Sequence, residues 1–100
     1  MSAVLWAGPA LRELEEALDY IAKDNPEAAE QMGRKVHAAV GRLAEFPDSG
    51  RVVPELGGQS LREVIHGAFR VIYERGRGGV RVLAVVRAEQ RPDFETIQER

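Results

Sequence analysis

Residues 61–74 read LREVIHGAFRVIYE, and the pattern of this stretch decides how the second half of the chain folds. The stretch is rich in Val, Ile, Phe and Tyr, which favour strands, and Gly67 divides it into two short runs. A third run, residues 80–87, follows a glycine-rich turn at residues 76–79. We therefore predict three consecutive strands, at residues 61–66, 68–74 and 80–87.

The alternation along the last of these strands predicts which side chains share a face. The even-numbered residues of 80–86 are all apolar and are expected on one face of the sheet. The odd-numbered residues of 81–87 are expected on the other face, which is apolar in its middle and carries Arg81 and Arg87 at its ends. This pattern indicates a half-open surface on that side of the sheet.

The first half of the chain has the helical period instead. Residues 3–6 predict a short first strand, and apolar residues at helical spacing then predict a helix over residues 10–24. Asn25 and Pro26 suit the N-cap and first position of a second helix, over residues 26–45. The break between the two helices is short, so an antiparallel helical hairpin is expected.

Together these elements define an α+β fold in the order strand, helix, helix, strand, strand, strand. We expect a single domain over residues 1–100, in which an antiparallel sheet packs against the helical hairpin and the first strand joins the same sheet. The other face of the sheet is expected to stay available. Residues 46–50 are expected to form a turn, residues 51–60 a connecting segment, and residues 94–99 a short helix.

The composition of the chain restricts its function. The 100 residues are 44% hydrophobic, which suits one packed domain, and no cysteine is present to form a disulfide or a thiolate metal site. No apolar run reaches the roughly 18 residues that span a membrane, and the N-terminus lacks the pattern of a signal peptide. We therefore expect a cytoplasmic protein with no membrane partner.

The charge is unevenly distributed along the chain. The formal net charge is −2, yet residues 51–91 contain eight arginines, no lysine and four glutamates. Arginine offers a planar fork for carboxylates and phosphates, so this half could bind an acidic partner or nucleic acid. A solvated, salt-bridged sheet face is the alternative. The candidate binding residues are Arg51, Arg62, Arg70, Arg81, Arg87 and Arg91.

Other chemistry receives little support from the sequence. No metal site or cofactor is expected, because His37 and His66 lie far apart and no cysteine accompanies them. No serine lies in a nucleophile elbow, and the glycine-rich turn lacks the lysine of a phosphate-binding loop. His66 could act as a general base, with a purely structural role as the alternative. Four aromatic residues are expected in the core: Trp6, Phe46, Phe69 and Tyr73.

Four segments of the chain, in this order and spacing, resemble the RelE/ParE toxin superfamily of type II toxin–antitoxin systems. They lie within residues 6–21, 25–29, 46–56 and 61–73, and with their surroundings they cover roughly residues 4–87. The most specific part is Phe46-Pro47-Asp48-Ser49-Gly50-Arg51, followed by the Arg62-Glu63 and Arg70-Val71-Ile72-Tyr73 strands. The element order predicted above matches the fold of this superfamily.

The resemblance implies a toxin that a cognate antitoxin neutralises in a hetero-oligomer, with a helix and an extended segment of the antitoxin wrapping the toxin. ParE-like members, which are linked to plasmid stabilisation, inhibit DNA gyrase by binding. RelE-like members are endonucleases that cut mRNA on the ribosome. A non-toxic orphan interaction module is a third alternative.

This sequence departs from the nuclease pattern at two places. Ile65 occupies a position that is basic in many of the nucleases, and residues 85–89 lack the histidine that many members carry near the end of the last strand. We therefore expect the ParE-like branch, acting as an inhibitor and not as an enzyme. If the chain is a nuclease, its candidate catalytic residues are His66, Arg70 and Tyr73.

Overall fold

The fold is a five-stranded sheet with two long helices on one face, in a computed structural model that describes residues 3–57 and 61–100. The element order confirms the α+β class. A 3₁₀ turn at Arg42–Ala44 follows the second helix. The elements are β1 Ala3–Trp6, α1 Gly8–Asp24, α2 Pro26–Gly41, β2 Arg51–Val52, β3 Arg62–His66, β4 Phe69–Gly76, β5 Gly79–Arg87 and α3 Phe94–Gln98.

Both helix starts follow from the local sequence. Pro9 lies in the first turn of α1, and Pro26 begins α2, where a missing backbone N–H costs nothing. The Asn25 side chain accepts a hydrogen bond from the Ala28 N–H at 3.0 Å, which is the predicted N-cap. The structure confirms the predicted pair of helices, α1 and α2, and the predicted short helix, α3. Among the described residues, no helix is both long and apolar enough to cross a membrane.

The sheet is mixed, which differs from the predicted antiparallel arrangement at one edge. The strand order is β1-β5-β4-β3-β2. β3, β4 and β5 pair antiparallel as expected, and β2 pairs antiparallel with β3. β1 pairs parallel with β5, with Ala3 opposite Gly79 and Trp6 opposite Val82. A four-residue strand with no hairpin turn has nothing local to fix its direction, so the helical hairpin determines it.

The segment predicted as a connection, residues 51–60, contains a short strand. Arg51 and Val52 form β2 and pair with Glu63 and Arg62 of β3. The last residues of this segment, 58–60, lie outside the described residues.

A β-bulge in β5 changes the predicted alternation of its side chains. Ile72 of β4 pairs with Ala84, but the next residue, Tyr73, pairs with Val82, so Leu83 is an extra residue in β5. As a result, Leu83 and Ala84 both contribute to the core on the face away from the helices. The prediction of strict alternation is therefore wrong from Ala84 onward, because an inserted residue reverses the phase of a strand.

The side chains form two core layers, one on each face of the sheet. The first lies between the sheet and the helical hairpin and includes Leu14, Val36, Phe69 and Tyr73. The second contains seven buried residues on the opposite face. The expectation that this face stays available is wrong, because α3 and the segment after β2 cover it. The second layer consists of Val53, Leu61, Ile72, Leu83, Ala84, Phe94 and Ile97.

The four aromatic residues expected in the core separate into three groups. Phe69 and Tyr73 are buried as predicted. Trp6 is half-buried, and its ring lies 5.5 Å from the exposed His37 ring, centroid to centroid. Phe46 is 60% exposed, so the prediction for this residue is wrong. Its turn is bonded to the sheet in an orientation that leaves the ring outside the core.

Candidate functional site: the arginine cluster of the sheet

Glu63 of β3 lies at the centre of the arginine-rich half, and its side chain is completely buried. Arg51, which is its direct cross-strand neighbour, donates from Nε to Glu63 Oε2 at 2.6 Å. Arg70 of β4 is a diagonal neighbour on the same face and donates from Nε to Glu63 Oε1 at 2.7 Å. Two guanidinium groups therefore compensate one buried carboxylate.

Arg70 also connects this pair to the segment after β2. Its two terminal nitrogens donate to the two carboxylate oxygens of Glu55 at 2.8 and 2.9 Å, which is a bidentate fork. These hydrogen bonds from Arg70 lower the pKa of Glu55 to about 2, against a smaller opposing effect of burial. The same bonds raise the pKa of Arg70 above its ordinary value. Both partners are therefore fully charged over the physiological pH range.

The Tyr73 hydroxyl holds the turn that precedes β2. It donates to the Pro47 carbonyl at 2.8 Å and accepts from the Gly50 N–H at 3.0 Å. Arg62 supports the same turn by donating to the carbonyls of Gly50 at 2.8 Å and Asp48 at 3.2 Å. Burial raises the pKa of Tyr73, so its hydroxyl keeps the proton that it donates.

Glycine is required at position 50 because the sheet approaches it closely. A Cβ atom there would lie 2.5 Å from the Tyr73 hydroxyl oxygen and 2.7 Å from the Glu63 carbonyl oxygen. The second of these is a backbone atom, which cannot move away as a side chain does. The Ser49-Gly50 part of the turn is thereby held against β3.

Arg81 and Arg87 lie on β5 with their guanidinium groups partly exposed. Arg81 donates to the Arg100 carbonyl at 2.7 Å and lies 3.5 Å from a carboxylate oxygen of Glu74. The Arg87 guanidinium carbon lies 5.0 Å from the centre of the Tyr20 ring, a cation–π contact. Arg91, in the segment before α3, is exposed.

The six candidate arginines therefore divide by exposure. The side chains of Arg70 and Arg62 are only 7% and 23% exposed. Both guanidinium groups donate hydrogen bonds to acceptors within the protein. A surface role for Arg70 does not fit this burial. The side chains of Arg51, Arg81 and Arg87 are 56%, 40% and 46% exposed.

The structure does not bring the three candidate nuclease residues together. His66 is opposite Phe69 in the β3–β4 ladder, and Tyr73 is four residues further along β4, roughly 13 Å at the usual rise of a strand. Arg70 points to the opposite face of the sheet, where it meets Glu63. The Tyr73 hydroxyl, moreover, already donates a hydrogen bond to Pro47 and accepts one from Gly50.

The ion pairs that three acidic residues form with the arginines were not predicted from the sequence. Glu63 and Glu55 bind Arg70, and Glu13 of α1 binds Arg100 through two bonds of 2.9 and 3.1 Å. Glu13 also accepts the Val85 N–H at 3.1 Å, next to the bulge. In the sequence, the available signal was a carboxylate at position 63, directly before the apolar pair Val64 and Ile65. Among residues 3–57 and 61–100, no group of three or more potential metal ligands occurs.

Comparison with known proteins agrees with this architecture. Residues 4–92 match the family described as the ParE toxin of type II toxin-antitoxin system, parDE. This chain belongs to the ParE toxin family, and the resemblance to the RelE/ParE superfamily is confirmed.

Two curated relatives are similar over part of the chain. "Putative toxin Y4kP" of Sinorhizobium fredii (strain NBRC 101917 / NGR234) is 46% identical over 48 residues, which are 48% of this chain and 50% of that protein. "Toxin RelE2" of Caulobacter vibrioides (strain ATCC 19089 / CIP 103742 / CB 15) is 37% identical over 65 residues, 65% of this chain and 69% of that protein. The chain thus matches only half the length of the first relative.

A solved structure, "Chromosomal ParDE TA system from P. aeruginosa", shares the fold. The TM-score is 0.74 at 18% sequence identity, and the match covers 89% of this chain and 98% of that one.

Proposed function

We propose that this chain, as a type II toxin, inhibits DNA gyrase by binding it, and that a cognate antitoxin neutralises it in a hetero-oligomeric complex. The observation that carries this proposal is the match of residues 4–92 to the ParE toxin family. Binding to gyrase would place its action in the cytoplasm.

The geometry of the arginine cluster supports binding over catalysis. A general acid or base must reach the reacting proton with a free donor or acceptor. The Tyr73 hydroxyl is occupied by Pro47 and Gly50, and Arg70 is enclosed by Glu63 and Glu55. These groups hold the sheet together, so the exposed arginines are the better candidates for contact with a partner.

We therefore propose Arg51, Arg81, Arg87 and Arg91 as the contacts with gyrase or the antitoxin. Arg62 and Arg70 are proposed to act indirectly, by holding the turn at residues 46–50 and the segment that follows it.

Gyrase supercoiling tests the proposal. The antitoxin-free chain is added to gyrase and relaxed plasmid, and we expect supercoiling to be inhibited. Arg87→Ala and Arg91→Ala should weaken inhibition, whereas Arg34→Ala should not, because Arg34 is 69% exposed on α2, outside the arginine cluster. Normal supercoiling at a large molar excess of the chain would contradict the proposal.

A ribosome-dependent mRNA endonuclease is the second candidate function. The relative named "Toxin RelE2", at 37% identity, favours keeping it. Translating ribosomes with a defined mRNA, treated with the same preparation, test it. Cleaved message together with normal gyrase activity would replace the first proposal by this one. Harmless expression without antitoxin, with both assays negative, would favour a non-toxic module.

A further inference from the structure

The β-bulge at Leu83 determines which face of the sheet Arg87 occupies. Before the bulge, Val82 packs in the core layer under the helical hairpin. Strict alternation would keep Arg87 on the opposite face, together with Arg81. After the bulge, however, Val85 packs in the layer under the hairpin, and Arg87 follows it to that side, where it meets α1. The inserted residue therefore places these two arginines of β5 on opposite faces.

Two backbone groups beside the bulge are bonded by side chains and not by a strand. Within the described residues, β1 covers this edge of β5 only as far as Val82. Further along, the Leu83 carbonyl accepts a hydrogen bond from Arg100 Nη1 at 2.7 Å. The Val85 N–H donates to Glu13 Oε1 at 3.1 Å. Side chains from outside the strand thus satisfy both groups.

Glu13 and Arg100 are also bonded to each other, and we call this pair the Glu13–Arg100 clamp. Both terminal nitrogens of Arg100 donate to the Glu13 carboxylate, at 2.9 and 3.1 Å, and the Arg100 and Glu13 side chains are only 17% and 29% exposed. The Val82 carbonyl accepts from the Ala7 N–H at this edge, so a regular strand would next present the backbone groups of Ala84 here. The clamp therefore fits the bulged form of the strand.

On the hairpin face, Arg87 forms a surface with Tyr20 of α1. The Arg87 guanidinium carbon lies 5.0 Å from the centre of the Tyr20 ring. Tyr20 is 61% exposed, and the Arg87 side chain is 46% exposed. Two grooves of about 310 and 290 Å³ adjoin the pair, and Ala17 and Phe69 line both of them. Tyrosine and arginine often supply most of the binding energy of a protein interface, so the surface suits a protein partner.

We infer that the Glu13–Arg100 clamp positions the Arg87–Tyr20 surface for contact with gyrase. Glu13 and Arg100 act as positioning residues, because they hold the bulge that brings Arg87 to Tyr20 and need not touch gyrase themselves. This inference rests on the proposed function, in which Arg87 is a contact residue. The positioning step is a property of the isolated chain and is tested without gyrase.

NMR spectroscopy of the isolated chain tests the positioning step. In the unmodified chain we expect nuclear Overhauser cross-peaks between the Tyr20 ring and the Arg87 side chain, and slow hydrogen exchange of the Val85 amide. Arg100→Met should remove the cross-peaks and accelerate the exchange, because it breaks the clamp. Arg34→Met, which breaks an exposed ion pair on α2, is the matched control and should change neither. Cross-peaks that persist in Arg100→Met would contradict the inference.

Two further variants distinguish the clamp from an ordinary ion pair. Arg100→Lys keeps a donor for the Leu83 carbonyl and for Glu13, so it should retain the cross-peaks. The exchanged variant Glu13→Arg/Arg100→Glu restores opposite charges, but its arginine cannot accept from the Val85 N–H and its glutamate cannot donate to the Leu83 carbonyl. It should therefore lack the cross-peaks, as Arg100→Met does. Recovery of the cross-peaks by the exchanged variant would overturn the inference.

Gyrase supercoiling tests the functional step with the same variants. Arg100→Met should weaken inhibition about tenfold, as should Arg87→Ala. The double variant should be no weaker than Arg87→Ala alone, because the clamp acts through Arg87. Arg34→Met should inhibit as the unmodified chain does. Circular dichroism verifies that each variant folds, and Arg100→Gln replaces Arg100→Met if the latter does not fold.

The two assays separate failure of this inference from failure of the proposed function. Additive losses in the double variant, or full inhibition by an Arg100→Met chain that lacks the cross-peaks, would overturn the inference. If the unmodified chain leaves gyrase unaffected, the proposed target is wrong, and the NMR measurements alone decide whether the clamp positions Arg87.

Discussion

The Arg70 guanidinium lies 2.6 Å from the Glu63 carboxylate, and the two side chains are only 7% and 0% exposed. Removing two charges from water costs several kcal/mol, which is offset only when the remaining donors and acceptors are also bonded. Arg51 and Glu55 supply those bonds. The four residues therefore behave as one unit, in which no member can be removed without leaving another unsatisfied.

Arg70→Met should destabilise the chain by about 3–5 kcal/mol, because Glu63 then remains buried with Arg51 as its one cationic partner. Urea unfolding measures this change. Arg34→Met, at a 69% exposed position, is the matched control and should alter the free energy of unfolding by no more than about 0.5 kcal/mol. A variant as stable as the unmodified chain would show that the Arg70–Glu63 pair contributes no net stability.

Glu55→Gln should lower stability at neutral pH, and the difference from the unmodified chain should shrink as pH falls. Arg70 lowers the pKa of Glu55 from 4.5 to about 2 in the folded state. Its stabilising contribution is therefore fully present above about pH 4.5 and is lost as pH falls towards 2. Melting temperatures between pH 7 and pH 2 measure it, with Glu16→Gln on the exposed side of α1 as control. A difference that is independent of pH would contradict the expectation.

Tyr73→Phe should cost about 1–3 kcal/mol, because the Gly50 N–H and the Pro47 carbonyl each lose a partner. Chemical unfolding measures the cost, and hydrogen exchange at Gly50 should become faster. Tyr20→Phe is the control, since Tyr20 is 61% exposed and its ring stays available to Arg87. Unchanged exchange at Gly50 would mean that the turn is held by Arg62 alone.

Gly50→Ala and Gly41→Ala should have opposite effects. At position 50 the added methyl group would lie 2.7 Å from the Glu63 carbonyl oxygen, an overlap that costs about 1–3 kcal/mol. At position 41, in the last turn of α2, nothing beyond the neighbouring residues and the backbone of its own helix lies within 4 Å of the added group. Alanine there should stabilise the chain by up to about 1 kcal/mol, because glycine is a poor helix former. Equal effects of the two changes, measured by urea unfolding, would contradict the close approach at Gly50.

The helices and most strands could be predicted because their signals are local. Asn25 and Pro26 specify a helix start whatever lies elsewhere in the chain, and alternation around Gly67 specifies two strands. The bulge at Leu83 could not be predicted, because an extra residue exists only relative to its partner strand. The parallel direction of β1 also depends on distant elements.

The residues of the candidate site could be predicted from the sequence, but their exposure and their contacts could not. The excess of arginine after residue 51 is visible in the sequence, and most of these side chains do gather on the sheet. Which of them is buried depends on the register that places Arg51 opposite Glu63 and Arg70 beside it. The prediction that Phe46 is buried was wrong for a related reason. Its exposure depends on the turn that the Tyr73 hydroxyl, 27 residues later, holds against the sheet.

The parallel pairing of β1 with β5 has a consequence for synthesis. The first strand finds its partner more than 70 residues later, when Val80 and Val82 are available. Until then Val4, Leu5 and Trp6 form an unpaired apolar segment of the nascent chain. Closing such a long loop is entropically costly, so β1 should join the sheet late. A ribosome making this toxin can therefore complete the sheet only after residues 79–82 of β5 have been synthesised.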